Sequence, residues 1–114
     1  MSRIAVFVMD GVEEVECLTT VDFCRRAGIG VTTVSVTGTK QVRGSHDIIF
    51  HTDSVLADVD FDVFDAVVYP GGAGTADLGK AEGTRELAEK FLSEGKLVAA
   101  IFAAPGMLPE EGLV

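Results

Sequence analysis

Apolar residues in this chain fall into short unbroken runs separated by amphipathic stretches. Arg3-Ile-Ala-Val-Phe-Val-Met9 is a continuous apolar run, the pattern of a strand buried on both faces. Asp10-Gly11 turns the chain. From Glu13 to Arg26 the apolar residues Val15, Leu18, Val21 and Cys24, with Ala27 beyond, recur at helical spacing. Acids occupy the first turn, where the helix dipole favours them, and Gly28 supplies a C-terminal cap. Val31–Val36 is β-branched and reads as a second strand. Ile48-Ile49-Phe50, within 42–52, reads as a short strand or hairpin on the sheet's edge, and Asp53–Ala57 as a brief helical turn. Asp65–Tyr69 is a third core strand, stopped by Pro70-Gly71-Gly72. Thr84–Ser93 is a helix with Leu87, Ala88, Phe91 and Leu92 inward, ended by Gly95. Lys96–Phe102 is a fourth core strand, and Pro105 opens a further helix.

Strands alternating with helices over short connections predict a doubly wound α/β domain with a mainly parallel sheet, one domain over residues 1–114. In such sheets ligands bind outside the carboxyl ends of the strands. Three turns converge there: Asp10–Glu16, Tyr69–Gly74 and Phe102–Pro105.

Composition narrows the partners. The chain is 47% hydrophobic, with a mean hydropathy of +0.35, which suits a globule with a real core. Its net charge of −9 repels phosphate backbones and anionic lipid, so neither nucleic acid nor membrane is an expected partner. No run approaches the length of a membrane span and no signal peptide is legible. Cys17 and Cys24 would lie about 10 Å apart along one helix face at 1.5 Å per residue, too far for a disulfide. A reducing, cytoplasmic setting is the expectation.

Each candidate group has a bland and a chemical reading. Glu13 and Glu14 read as a solvated helix start, or as part of a site. Glu16 sits one position off the apolar stripe, where its carboxyl would point into the crevice and hold a proton for a partner. Pro70-Gly71-Gly72-Ala73-Gly74 is either a tight turn or a nest of N–H groups fit for an oxyanion. It lacks the spacing of a nucleotide-binding glycine motif. Cys17 and Cys24 read as inert packing sooner than as redox groups. His46 and His51, with Asp47 and Asp53 nearby, read as ordinary residues of a surface hairpin sooner than as metal ligands, which residue type alone would allow. No cofactor or metal is expected.

Four motifs stand together in order: Gly11-Val-Glu-Glu-Val-Glu16, Arg26-Ala-Gly28, Val68-Tyr-Pro-Gly-Gly72 and Ala99-Ala-Ile-Phe-Ala-Ala-Pro105. In that order and spacing the chain resembles the ThiJ/PfpI family of the glutamine-amidotransferase-like superfamily. The resemblance implies a flavodoxin-like fold with a cysteine nucleophile at a strand-to-helix elbow. It places Phe102 at that cysteine, Glu16 at the glutamate that hydrogen-bonds the thiol, and Gly71, Gly72 and Ala103 around the oxyanion. Phenylalanine cannot act as nucleophile, acid or base. The expected molecule is therefore a catalytically silent domain, shorter on its C-terminal side than the family's usual domain, acting through binding or assembly, with a possible stress-related role. A small carbonyl compound is the ligand class implied, and a second copy, paired through an exposed edge strand, the protein partner. The alternative is an active glyoxalase, deglycase or protease-like hydrolase that uses Cys17 or Glu16 instead.

Overall fold

The computed structural model describes residues 2–71 and 84–100. The chain runs β1 (Arg3–Val8), α1 (Glu14–Arg26), β2 (Gly30–Ser35), β3 (Gln41–Arg43), β4 (Ile49–His51) and β5 (Ser54–Val55). Two single-turn 3-10 helices follow (Leu56–Asp58 and Phe61–Val63), then β6 (Ala66–Tyr69), α2 (Thr84–Ser93) and β7 (Leu97–Ala100). Among the described residues, five strands form one parallel sheet in the order β5-β2-β1-β6-β7. The β1-α1-β2 and β6-α2-β7 crossovers travel in opposite directions from the centre. Right-handed crossovers of opposite direction put α1 and α2 on opposite faces. This is the doubly wound α/β architecture that the pattern predicts, and its switch point lies between β1 and β6.

The central strands are buried as their composition requires. Ala5, Val6, Phe7, Val8, Val67 and Tyr69 are wholly enclosed. Phe7 packs on Tyr69 and Phe61 with ring centroids 5.0 and 5.7 Å apart, and Phe61 on Phe64 at 5.9 Å. Such tilted aromatic contacts add to the burial of the rings themselves.

The two α-helices among the described residues end in the same way. Ile29 N–H donates to Cys24 O (3.0 Å) and Gly28 N–H to Arg25 O (3.1 Å). At the end of α2, Lys96 N–H donates to Phe91 O (2.8 Å) and Gly95 N–H to Leu92 O (3.2 Å). These paired bonds are the Schellman motif, which needs a left-handed residue at the glycine, and the φ angles of Gly28 and Gly95 are +83° and +73°.

The structure corrects several expectations. The inward face of α1 is Glu14, Cys17 and Val21, whereas Val15 and Phe23 are 70% and 65% exposed and Leu18 is also exposed. The helix is rotated because Glu14 is drawn inward by hydrogen bonds from the β3–β4 turn, which outweigh the pull of two apolar side chains. The β3–β4 hairpin is a separate two-stranded sheet, not an edge of the main one. That edge is β5, Ser54–Val55, so the helical turn expected from Asp53 starts later, at Leu56–Asp58. Asp53 explains the difference: its Oδ2 accepts from Thr33 N–H (2.9 Å), Thr33 Oγ1 (3.1 Å) and the Arg25 guanidinium (2.9 Å), which fastens the segment along β2. In α2, Ala88 and Phe91 are buried as expected, but Leu92 is exposed. Of the fourth core strand, Leu97–Ala100 forms β7 and Lys96 belongs to the cap of α2; residues 101 and 102, with Pro105, lie outside the described residues.

The cap at Gly28 yields a direct test. A Cβ at this position would meet no atom within 4 Å, so only backbone strain opposes substitution. Gly28→Val should lower the unfolding free energy by about 1–2 kcal/mol, and Gly28→Asn by distinctly less, since asparagine tolerates the left-handed region. Urea denaturation of the two variants measures the difference.

Candidate functional site

At the carboxyl end of β1 the chain makes a tight turn, with Val12 N–H donating to Met9 O at 3.1 Å and Gly11 at φ +83°. Val12 is wholly buried. Glu13 caps α1: its Oε1 accepts from Val15 N–H at 3.0 Å, which satisfies one of the helix's free donors. Its own N–H donates to Gly71 O at 3.0 Å. That bond joins the ends of β1 and β6 at the switch point, where ligand crevices form in such sheets. Gly71 is buried there.

Glu16, three residues on, is half-buried. Its Oε1 is the one buried side-chain polar atom without a hydrogen-bond partner among the described residues. Leaving such an atom unsatisfied is costly. The side chain next to it in sequence is closed to chemistry: Cys17 is wholly buried, and burial pushes its thiol up to about 12, so almost no thiolate exists at neutral pH. Cys24 is partly buried. The remaining family-implied positions, Gly72, Phe102 and Ala103, lie outside the described residues, so of that constellation the structure places Glu16 and Gly71.

Glu14 is not part of a solvated helix start. It is 2% exposed, and the turn of the β3–β4 hairpin closes around its carboxylate. Oε2 accepts from His46 N–H (2.9 Å) and Ile48 N–H (3.2 Å), and Oε1 lies 2.9 Å from His46 Nδ1. The Ser45 hydroxyl adds a longer contact to Oε1 at 3.4 Å. Burial pushes the carboxyl up, but the donors from His46 and Ile48 prevail and hold it down at about 2. A Cβ on Gly44 would overlap Cγ, Cδ and Oε2 of Glu14, so the carboxylate rests directly on the hairpin backbone. Two further bonds secure the hairpin, Gly11 N–H to Arg43 O and Ser45 N–H to Val12 O, both 2.8 Å.

The two histidines do not meet. His51 is exposed on β4 opposite Gln41, and Asp53 serves the sheet edge. His46 instead joins Glu13 and Glu14, and the ligand-type atoms of these three lie within 4.8 Å of one another. Both Glu14 oxygens already accept from the hairpin, so the trio reads as an ion-pair brace. Sequence reasoning missed this brace. Its faint signal is the spacing of Glu14, three before Cys17 and seven before Val21, which puts all three on one helical face.

The family model described as the DJ-1/PfpI family matches residues 2–114. The chain belongs to the DJ-1/PfpI family. It is 39% identical over 115 residues to protein dj-1beta of Drosophila melanogaster, covering 99% of this chain and 62% of that protein. The crystal structure of Drosophila DJ-1beta superposes with a TM-score of 0.94 over 100% of this chain and 62% of its own. Oxidized Toxoplasma gondii DJ-1 matches with the same TM-score at 30% identity, over 99% and 62%. A protein named putative cysteine protease YraA, from Bacillus subtilis, is 32% identical over 98% of this chain and 66% of its own length. The chain spans less than two thirds of the length of these relatives.

The Glu14 carboxylate carries a definite pH dependence. Its ionisation is favoured in the folded state, so its contribution is complete above its ordinary value of 4.5 and is lost as pH falls toward about 2. Urea unfolding should therefore show stability declining across that window. Glu14→Gln should lower stability at neutral pH and flatten the decline.

Proposed function

We propose that this DJ-1/PfpI-family domain is catalytically silent toward the family's thiol chemistry and acts by binding or assembly. The observation that carries this reading is Phe102, which stands in Ala99-Ala-Ile-Phe-Ala-Ala-Pro105 where the family motif has its cysteine. Glu16 supports it. The matching family glutamate hydrogen-bonds the elbow thiol, and here Glu16 Oε1 is buried and without a partner among the described residues. A carboxyl oxygen left over is what replacing a thiol by hydrocarbon would produce.

The alternative is hydrolase or deglycase chemistry through Cys17 or Glu16. The complete burial of Cys17 and its raised thiol speak against the first. Glu16 can supply or accept a proton but has no sulfur with which to form the thioester or hemithioacetal of a thiol mechanism.

Small carbonyl compounds remain the ligand class in this proposal, with Gly71 and Gly72 as donors to the carbonyl oxygen. Self-association is the proposed mode of assembly. Among the described residues β7 is the outermost strand on its side of the sheet, and Leu97 on it is 72% exposed. Among the described residues no helix is long and apolar enough to cross a membrane, and a cytoplasmic setting completes the proposal.

Methylglyoxal turnover by the purified chain tests the central point. No turnover above the uncatalysed rate is expected, and iodoacetamide should label Cys17 only slowly at neutral pH, with a rate that keeps climbing as pH rises because so little thiolate is present. Robust turnover would overturn the proposal; its loss in Glu16→Gln or Cys17→Ala would establish the alternative, and its survival in both would show that the elbow thiol was not needed. Sedimentation velocity reads the assembly separately, with an oligomer expected and a monomer at all concentrations opposing it.

A further inference from the structure

The brace between hairpin and helix contains one imidazole. His46 sits at the tip of the β3–β4 turn, with Nδ1 2.9 Å from Glu14 Oε1 and 3.7 Å from Glu13 Oε2. Both carboxylates belong to the first turn of α1, and among the described residues neither is paired with a lysine or arginine. On the hairpin itself, Arg43 and Asp47 pair with each other at 3.8 Å, which largely cancels their effect on the imidazole. The Ser45 hydroxyl lies 3.1 Å from Nδ1. From the β1–α1 turn, Asp10 faces the same hairpin and accepts Arg43 N–H at 3.0 Å. The net field at His46 is negative.

We propose that the β3–β4 hairpin is a pH-sensitive clamp on the first turn of α1, closed by a His46 imidazolium held between Glu13 and Glu14. The geometry makes the response local. Ser45, His46 and Ile48 donate their N–H groups to the β1–α1 turn and to Glu14, so charge at the imidazole bears directly on those bonds. Glu13 extends the effect inward. It meets the imidazolium through Oε2 while its N–H holds Gly71 O at 3.0 Å, so the clamp and the turn at the end of β6 share one residue. The inference is independent of the reading of position 102.

The direction follows from linkage. The hydrogen bond to Glu14, then the charges of Glu13 and Glu14, raise the His46 pKa above its ordinary 6.5. The charged clamp is therefore fully present below 6.5 and is lost as pH rises through the raised folded value. His46 is 65% exposed, so solvent screens the attraction. The readout is opening of the hairpin, not global unfolding.

NMR titration of the His46 ring, with amide hydrogen exchange at residues 45–48, tests the clamp in the intact chain. The His46 ring should titrate above 6.5. Protection of the His46 and Ile48 amides, corrected for intrinsic exchange, should fall several-fold as the ring loses its proton. Glu13→Gln should lower the titration point, and His46→Asn should remove the pH step in protection while leaving the fold intact. A ring that titrates at or below 6.5, or a step that persists in His46→Asn, would overturn the proposal.

Discussion

A carboxylate buried beside a helix start is stable only if donors surround it, and in this protein one hairpin turn supplies them. Glu14 carries charge at 2% exposure because two backbone N–H groups and an imidazole replace its water. The helix dipole at the same end favours the charge as well. From this one residue follow the rotation of α1 about its axis, the seat of the hairpin, and the outward display of Val15 and Leu18. The N-cap beside it, Glu13, then reaches Gly71 and ties the helix to the far side of the switch point. The geometry of the candidate site therefore depends on residues outside it.

The strands were legible in sequence because nothing competes with a fully buried strand for an unbroken apolar run. Residues 3–8 and 66–69 fall within the predicted segments, and the glycine caps mark both helix ends. The face of α1 was not legible. Helical periodicity ranks side chains by apolarity, and it assigned Val15 and Leu18 inward because it has no means of knowing that a distant turn will satisfy Glu14. The start of the turn expected from Asp53 is displaced past β5 for a similar reason. Asp53 looks like a helix start locally, but its partners Thr33 and Arg25 are remote in sequence. Contacts between distant polar residues decided each of these positions, and no local pattern announces them.

Of the candidate site, only the places of Glu16 and Gly71 in the fold can be compared with the sequence reading. Glu16 and Gly71 stand at the crevice end of the sheet, where the order of strands places them, and the family relationship spans residues 2–114. Residue type at position 102 was read directly, and a type that lacks a reactive atom needs no geometry to interpret. That Glu16 Oε1 is buried without a partner among the described residues is a fact of packing, and no sequence pattern could have shown it.

Gly44 has an implication for how this chain can change. Any side chain there collides with Glu14 while the carboxylate is held in its cradle. Shortening residue 14 would clear the space but forfeit the bonds that seat the hairpin. The two positions are thus coupled, and the effects of altering them will not add. A lineage leaving this arrangement must give up the carboxylate before the glycine, so the order of substitutions, and not merely their identity, is constrained by one missing methyl group.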